Sequence, residues 1–409
     1  MNRLVIAATL LCLPARARAN GRFPDVVSLA IRADEPSQMI AGTTFGALLT
    51  LDGGETWRWI CEDALGFGGI WDPVFAIEPG TGAMIATMPN GLAVSDDGGC
   101  TWTMRGGKKA EVWFMDVEIR DDGAWLLATA TGGKQNGVYL STDRGETMEP
   151  TSLVSDVDFF RDLLLRGDRA TVVGYRYSPI EYTIHESTDG GESWSDTPIA
   201  IGEAVEPFAI DPADSGRIYM AEDVDGHWGL DRATTSTGDR SRLFEVDLVG
   251  SRVRAFAISD DGGTILAGSG RSDVRRSTDG GASFGPVETP IAARCFARTG
   301  DVVHACADNW EDGFAIGRSE DWSDSWTGLL RFDEIAGPVE CPEGSEVEEL
   351  CAPLFPTLCK QLAIDSDECP GGGGDADASP APAPRPDGCG CNAAPALAFA
   401  ILGVLRRRR

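Results

Sequence analysis

One short pattern recurs along most of this chain, and its regular spacing constrains the fold more than any other feature. The pattern reads Ser/Thr-x-Asp-x-Gly-x-Thr/Ser-Trp/Phe, and its aspartates are Asp52, Asp97, Asp143, Asp189, Asp279 and Asp321. Successive aspartates lie 45, 46, 46, 90 and 42 residues apart. The step of 90 is about twice the others, so we expect a degenerate seventh copy near residues 234–239.

Each unit of the repeat reads as four short strands. In the third unit, runs of apolar and β-branched residues between turn signals predict strands at about 113–119, 125–131, 138–142 and 147–153. A second series of turn signals, between the first two strands of each unit, also counts seven. Four strands in about 40–45 residues is the size of a propeller blade. The sequence therefore predicts an all-β fold, a seven-bladed β-propeller of four-stranded antiparallel blades, over residues 22–335.

The chemistry of the repeated pattern predicts a structural role. The glycine at its fifth position permits the positive φ that a tight hairpin needs. The aspartate side chain can accept hydrogen bonds from backbone N–H groups of the turn. Regularly spaced acidic residues can also suggest metal binding or catalysis, but we expect these aspartates to stabilise hairpins.

The six copies resemble the Asp-box (BNR) repeat family, which includes bacterial sialidases, sortilin-type receptors, xyloglucanases and photosystem II assembly-factor propellers. The resemblance covers about residues 24–335. It implies that the pattern lies on the outer edge of each blade, away from the binding face. The xyloglucanases of this family place a cleft between two propellers, whereas this chain carries the repeats of one.

Ligand-binding residues are expected on the rim opposite the repeated pattern. If strands A to D of each blade run antiparallel, the A–B turns and the pattern share one rim, and the B–C and D–A loops share the other. Six aromatic residues lie in those loops beside carboxylates and amides: Trp71, Trp113, Tyr175, Tyr177, Trp228 and Trp310. Their rings can stack on a sugar or a peptide. The alternative is that they pack the loops onto the ring.

Charged residues at the starts of the inner strands are expected near the mouth of the central channel. They are Asp116, Arg161, Asp162, Glu206, Arg254 and Arg294. Three arginines in different blades resemble the carboxylate-binding arginine triad of sialidases, which implies a glycoside hydrolase. The N-terminal Arg-Ile-Pro motif of that family, and its Tyr nucleophile with a Glu partner, are not identified here, so no catalytic residue is assigned.

Both ends of the chain carry targeting signals. Residues 1–19 combine Arg3, a short apolar run and a small-residue cleavage site, which predicts a secretory signal peptide. The alternative is a first strand or helix. Near the C terminus, a Gly/Ala/Pro-rich linker at 371–387 precedes a segment at 388–409, in which a 13-residue apolar run and four arginines follow Cys389 and Cys391.

The segment at 388–409 resembles the MYXO-CTERM sorting tag of myxobacterial surface proteins. The resemblance implies processing beside Cys389 or Cys391 and anchoring at the cell surface. The alternative is an ordinary short membrane anchor. Both interpretations predict an exported bacterial protein, displayed at the cell surface, anchored in the outer membrane or extracellular.

Eight further cysteines are candidates for disulfide bonds, since exported chains favour them. They are Cys61, Cys100, Cys295, Cys306, Cys341, Cys351, Cys359 and Cys369. Grouped by distance along the chain, they predict a Cys61–Cys100 bond and a Cys295–Cys306 bond across a hairpin. The last four predict two bonds within a Cys-rich appendage at 336–370, around a short helix at about 347–362.

Charge and composition narrow the function. The formal net charge of −29 repels phosphate backbones, so nucleic acid is not an expected partner. No CxxC pair or His cluster suggests zinc, and Asp223-Val-Asp225-Gly226 lacks the spacing of a calcium loop, so no metal or cofactor is expected. We expect a monomer, associated with a membrane through its tail, that binds a glycan or protein ligand without catalysis. The alternative is a sialidase-like or other glycoside hydrolase acting at the channel mouth.

Overall fold

The computed structural model of this protein describes residues 22–106, 111–246, 251–270, 273–364 and 369. The predicted signal peptide, the linker and the segment with Cys389 and Cys391 lie outside these residues. Within them, 28 strands form seven four-stranded sheets, which we call blades 1 to 7 in chain order.

The blades are built from strands of two to nine residues. Blades 1 and 2 contain β1 (Val26–Ile31), β2 (Met39–Thr43), β3 (Gly46–Thr50), β4 (Arg58–Ile60), β5 (Phe75–Ile77), β6 (Met84–Met88), β7 (Gly91–Ser95) and β8 (Thr103–Arg105). Blades 3 and 4 contain β9 (Phe114–Ile119), β10 (Trp125–Thr129), β11 (Asn136–Ser141), β12 (Glu149–Ser155), β13 (Phe159–Arg166), β14 (Arg169–Tyr177), β15 (Ile180–Ser187) and β16 (Ser195–Asp196).

The second half of the ring repeats the arrangement. Blades 5, 6 and 7 contain β17 (Ala204–Ile210), β18 (Arg217–Val224), β19 (His227–Thr234), β20 (Arg240–Glu245), β21 (Ala255–Ile258), β22 (Ile265–Gly268), β23 (Val274–Ser277), β24 (Gly285–Pro286), β25 (Cys295–Thr299), β26 (Val302–Cys306), β27 (Ile316–Ser319) and β28 (Thr327–Leu330). Three short helices are α1 (Glu62–Leu65), α2 (Glu346–Cys351) and α3 (Phe355–Leu362), and a 3-10 turn spans Phe332–Glu334.

The seven sheets form a closed ring. In every sheet the four consecutive strands are neighbours, in the order A, B, C, D, and each pair is antiparallel. The first strand of each blade packs against the first strand of the next, and β1 packs against β25. The predicted seven-bladed propeller is therefore confirmed, and the four strands predicted in the third unit match β9 to β12 within a few residues.

Apolar side chains fill the space between neighbouring blades. Six clusters of buried residues each join adjacent blades, and the largest joins blades 7, 1 and 2. The second and third strands of blades 1 and 2 are buried along their whole length, since each is covered by a neighbouring sheet on both faces. This explains why they read as continuous apolar runs.

The six copies of the repeated pattern form the C–D hairpins, which we call the aspartate turns. In each, the side-chain oxygen of the first residue accepts the N–H of the fifth residue at 2.8–3.0 Å. The aspartate Oδ1 accepts the N–H of the seventh residue at 2.8–2.9 Å. The fifth residue has positive φ in every copy, even in the sixth, where Ser323 replaces glycine at 79°.

The degenerate seventh copy is the turn between β19 and β20. It closes through backbone bonds from Gly238 N to the Thr234 oxygen at 2.9 Å and from Thr234 N to the Asp239 oxygen at 2.8 Å. The A–B turns and C–D turns therefore share one rim, which we call the turn rim. The B–C and D–A loops share the other, which we call the loop rim.

The chain after β28 closes the ring, and we call its described part, residues 331–364 with Cys369, the C-terminal strap. Trp59 N donates to the Gly337 oxygen at 2.7 Å, and Val339 N donates to the Trp59 oxygen at 3.0 Å. The strap thus forms a parallel bridge beside β4, on the outer edge of blade 1. Its helices α2 and α3 add side chains such as Phe355 and Leu358 to the largest apolar cluster. The helix expected at about 347–362 is divided in two, and Pro356 begins the second half.

The disulfide bonds correct two expectations from the sequence, the Cys61–Cys100 bond and the pair of bonds within the Cys-rich appendage. Cys295 pairs with Cys306 across β25 and β26, as predicted. The Cys61–Cys100 bond is wrong: Cys61 pairs with Cys351, and Cys100 pairs with Cys341. Only Cys359–Cys369 is local to the strap. The physical reason is the ring, which returns the end of the chain to blades 1 and 2.

The aspartate turns generate a prediction about stability. Asp189 Oδ1 accepts hydrogen bonds from Ser187 Oγ at 2.7 Å and Ser193 N at 2.9 Å. Asp189→Ala removes both of these hydrogen bonds, so we expect a melting temperature lower by about 2–5 °C. Ligand binding at the loop rim should be unchanged. Asp189→Asn keeps one acceptor and should lose less. Selective loss of binding at unchanged stability would contradict the structural role.

A second prediction concerns the strap. The Cys100–Cys341 bond joins residues 241 apart, so removing it frees a long loop in the unfolded chain and releases the strap from blade 2. We expect the double change Cys100→Ser and Cys341→Ser to cost about 2–5 kcal/mol and to open residues 331–345 to limited proteolysis. The matched control, Cys295→Ser with Cys306→Ser, should leave that segment protected. Equal protection in both variants would show that the bond does not hold the strap.

Candidate functional site

The ligand-binding candidates from the sequence all lie on the loop rim. The aromatic residues occupy D–A loops, ends of B strands, starts of C strands or B–C loops, and the arginines occupy the starts of inner strands. The set is Trp71, Trp113, Tyr175, Tyr177, Trp228, Trp310, Arg161, Arg254 and Arg294. The topology thus gathers on one rim residues that are up to 239 positions apart in the chain, from Trp71 to Trp310.

The loop rim is raised over two neighbouring blades. In blade 4, β14 and β15 have nine and eight residues, and in blade 5, β18 and β19 have eight each. The corresponding strands of the other blades have four to six. The B–C hairpins of blades 4 and 5 therefore project above the channel mouth.

Four aromatic rings support the hairpin of blade 4, and we call Phe159, Tyr175, Tyr177 and Tyr182 the aromatic cluster. Tyr175 lies directly across from Phe159 on β13 and from Tyr182 on β15. Its ring is stacked with both, at centroid distances of 5.4 and 6.1 Å. Tyr177 contacts Phe159 and Tyr175 edge-on. The neighbouring rings of the cluster cover the Tyr175 ring, whereas Tyr177 stays on the surface.

The tip of this hairpin exposes apolar side chains. Tyr177 is 62% exposed, and Ile180, its direct cross-strand partner, is 72% exposed.

The other aromatic candidates are packed more deeply into the protein. Trp71 packs edge-on against Trp113 and donates its indole N–H to the Thr87 oxygen at 2.8 Å. These contacts are those of rings that pack loops onto the propeller.

The two remaining aromatic candidates lie on blades 5 and 7. Trp228 is half-buried, with the guanidinium of Arg252 5.7 Å from its ring centre. Trp310 is 42% exposed and packs against Phe23 and Phe332 at 4.7 and 5.7 Å. Trp310 therefore helps the strap to close the ring while one side of it stays accessible.

Most arginines at the channel mouth are held by carboxylates. Arg161 contacts Asp162 at 3.2 Å, and Arg294 contacts Asp25 at 2.8 Å and Asp308 at 3.1 Å. The sequence analysis missed Arg252, which contacts Glu206 at 3.0 Å. The only signal for it was its position two residues before Arg254, on the same face of an extended segment.

Arg254 differs from the other arginines of the mouth. Within the described residues its side chain makes no ion pair or hydrogen bond. Burial and the neighbouring charge of Arg252 lower the pKa of Arg254, while the guanidinium stays protonated at any physiological pH. It is therefore the mouth arginine with most capacity for a ligand oxygen.

The carboxyl groups of the channel have raised pKa values. Burial, and then the charge of Asp162, raise the pKa of Asp116 to about 7, although N–H groups of Leu163 and Val117 bond its two oxygens at 2.8 and 2.9 Å. Burial also raises the pKa of Asp162 and of Glu206 despite their arginine partners. Burial and Asp116 raise the pKa of Glu118 well above its ordinary value. Of these groups, Asp116 can carry a proton near neutral pH.

Metal and membrane features are limited in the described residues. No group of three or more His, Cys, Asp or Glu side chains there could hold a metal ion. Among the helices of that same part of the chain, none has the length and apolar character needed to cross a membrane.

Comparisons with known proteins support the fold. No protein-family model and no curated protein matches this chain. Among solved structures, it is similar to the GH74 xyloglucanase from Xanthomonas campestris, with a TM-score of 0.55 and 16% identity over 77% of this chain and 56% of that one. It is also similar to YCF48 from Cyanidioschyzon merolae (TM-score 0.48, 15% identity, 69% and 92% covered) and to U3-55K (0.49, 13%, 75% and 95%).

These similarities establish the propeller fold and leave the activity open. The identities are low, and the xyloglucanase is matched over little more than half of its length, 56%. The chain thus shares its propeller architecture with a glycoside hydrolase.

The channel carboxyls generate a prediction about pH. In the unfolded chain Glu118 has its ordinary pKa of about 4.3, and in the folded chain its pKa is raised. The raised pKa stabilises the folded chain below about pH 4.3, and this stabilisation is lost as the pH rises through the folded pKa. Between pH 5 and pH 8, we expect the melting temperature of Glu118→Gln to fall by several degrees less than that of the native protein. The control Glu55→Gln, in an exposed turn, should follow the native curve. A Glu118→Gln curve parallel to the native one would contradict the raised pKa.

Proposed function

We propose that this protein is a non-catalytic binding propeller that engages a protein or glycan ligand through its loop rim. The observation that carries the proposal is the raised hairpin of blade 4, where Tyr177 and Ile180 are exposed on a rigid support of stacked rings. Apolar side chains that project from a braced loop are typical of recognition surfaces. In an enzyme, such an exposed tip would serve catalysis only if the substrate contacted it.

The arrangement of charges at the mouth also favours binding. Most glycoside hydrolases need two free carboxyl groups, one as acid and one as nucleophile or base, whereas sialidases use a Tyr nucleophile. Asp162 and Glu206 contact Arg161 and Arg252, and both oxygens of Asp116 accept backbone N–H groups. The hydrogen bond from Leu163 N to Asp116 links blades 3 and 4, and all of these contacts direct the carboxyl groups towards the protein.

A second candidate function is glycoside hydrolysis at the channel mouth, and one observation favours it. A carboxyl group whose pKa is about 7, beside another carboxyl, has the protonation that a general acid requires. Asp116 would be that acid, and Arg254 would orient an anionic sugar. The binding function accounts for more of the rim, so we prefer it.

The proposal includes the cellular setting. We propose that the six aspartate turns make the chain a member of the Asp-box repeat family, and that residues 1–19 direct export, so that the mature chain begins near Asn20. The segment with Cys389 and Cys391 would anchor a monomeric propeller at the bacterial surface. The proline-containing linker at 371–387 would hold the loop rim away from the membrane.

The test compares binding and turnover on the same purified protein. We expect no hydrolysis of xyloglucan oligosaccharides or sialosides, and binding to members of a glycan array or a random peptide display library. Tyr177→Ala with Ile180→Ser should weaken that binding about tenfold or more. Leu51→Ser, a matched change on the turn rim where Leu51 is 59% exposed, should not. Turnover that is lost in Asp116→Asn would establish the hydrolase instead.

A further inference from the structure

Three exposed apolar side chains lie on neighbouring segments of the loop rim. We call Val157, Tyr177 and Ile180 the apolar patch. Val157 is 64% exposed in the D–A loop between blades 3 and 4, and the other two form the tip of the blade 4 hairpin. Arg176 joins the two loops, since its Nε donates to Asp158 Oδ1 at 2.8 Å. The patch is thus contributed by two segments that this hydrogen bond links.

The loop that carries Val157 has a fixed conformation. Ser155 Oγ accepts the N–H groups of Val157 and Asp158 at 3.2 and 3.0 Å and donates to Asp158 Oδ2 at 2.9 Å. Asn136 Nδ2 donates to the backbone oxygen of Asp158 at 3.1 Å. Because the loop is already ordered, a partner that covers Val157 has little ordering entropy to overcome.

The surroundings of the apolar patch are acidic. Asp156, Asp158 and Glu181 flank it, and Arg176 is shared between the last two, at 2.8 and 3.5 Å. No lysine occurs in residues 151–230. The next blade adds Glu203, Asp223 and Asp225 on its own loops, where Glu203 N donates to the Asp223 oxygen at 3.1 Å.

The shape and chemistry of the patch favour a polypeptide over a sugar. A sugar ring stacks on an open aromatic face, but stacked neighbours flank the Tyr175 ring, and Val157 and Ile180 offer only aliphatic surface. At the tip, Tyr177 and Ile180 are paired with each other, so a partner can contact their exposed side chains. An apolar centre with a charged rim is the anatomy of a protein interface.

We infer that the apolar patch and its acidic border bind a cationic polypeptide segment, with apolar side chains on the patch and Lys or Arg side chains against Asp156, Glu181 and the acidic loops of blade 5. This inference rests on the proposed function of the loop rim and names the class of its partner. The apolar contacts would supply most of the affinity, while the exposed carboxylates would set partner choice and association rate.

The experiment uses the purified protein and three short synthetic peptides, in which Leu and Phe alternate with Lys, with Gln or with Glu. We expect the Lys peptide to bind, the Gln peptide to bind about tenfold more weakly or less, and the Glu peptide not to bind. Affinity for the Lys peptide should fall several-fold between about 50 and about 300 mM salt, since exposed charges are screened over that range.

Two variants separate the parts of the surface. Tyr177→Ala with Ile180→Ser should reduce affinity for the Lys peptide by about tenfold or more. Asp156→Asn with Glu181→Gln should reduce it by about threefold and remove much of the salt dependence. Val157→Ser tests the patch where the hairpin is untouched. Glu55→Gln with Glu192→Gln, a matched change on the turn rim, should bind as the native protein does.

The outcomes distinguish the two levels of the proposal. If peptides selected from a display library bind through Tyr177 and Ile180 but are not enriched in Lys or Arg, or if the Glu peptide binds as tightly as the Lys peptide, the cationic partner is wrong and the binding rim stands. If no peptide or glycan binds in a way that depends on the rim, the proposed function fails as well.

Discussion

Closure of the ring is the constraint on which the other features of this propeller depend. Each blade is completed by four consecutive strands, so no strand is shared between blades 7 and 1. Closure depends instead on side-chain packing of β1 against β25, on the Asp25–Arg294 ion pair and on the C-terminal strap. The strap bridges β4 through backbone hydrogen bonds and fills the largest apolar cluster with Phe332 and Phe355.

The strap also explains the use of disulfide bonds. Bonds that join residues 290 and 241 apart in sequence remove much chain entropy from the unfolded state, and they do so at the point where the ring could open. The Cys295–Cys306 bond, across one pair of strands, stabilises a single blade. Covalent links are therefore concentrated where the fold has no shared strand.

The sequence predicts the fold well because each blade is specified locally. An aspartate turn needs only eight consecutive residues, and its hydrogen bonds form within them, so the copies can be counted without knowing the tertiary structure. The sixth copy shows how far local chemistry extends, since Ser323 adopts the positive φ of the missing glycine. Disulfide pairing follows from ring geometry instead, and distance along the chain was a misleading guide for Cys61 and Cys100.

The candidate site could be predicted only in part, for a related reason. Strand order alone places Tyr175 and Tyr177 on the loop rim, because the alternation of strands fixes which ends meet. It does not show that Tyr175 is covered by Phe159 and Tyr182 while Tyr177 is exposed. Arg252 and Val157 escaped notice because their roles depend on neighbours in other strands and loops.

Two kinds of aspartate show how location decides the chemistry of one side chain. Hydrogen bonds from the side chain and backbone of Ser283 hold the pKa of Asp279 at about 2, in a fully exposed turn. Asp116 also accepts two backbone N–H groups, yet burial and Asp162 raise its pKa to about 7. Backbone N–H donors are present in both cases, and for Asp116 desolvation in the channel outweighs them.

This difference bears on the function of the two rims. On the turn rim, hydrogen bonds within the turns hold the pKa of Asp143, Asp189, Asp279 and Asp321 below the ordinary value, so these aspartates are suited to stabilising hairpins. In the channel, the Arg252–Glu206 ion pair and the hydrogen bond from Leu163 N to Asp116 Oδ2 link neighbouring blades. Burial raises the pKa of Asp116, which lowers the cost of burying this acidic group. The channel therefore reads as a braced interior. The exposed side chains at the raised tip of blade 4 are not needed to keep the ring closed, and the proposed binding function rests on them.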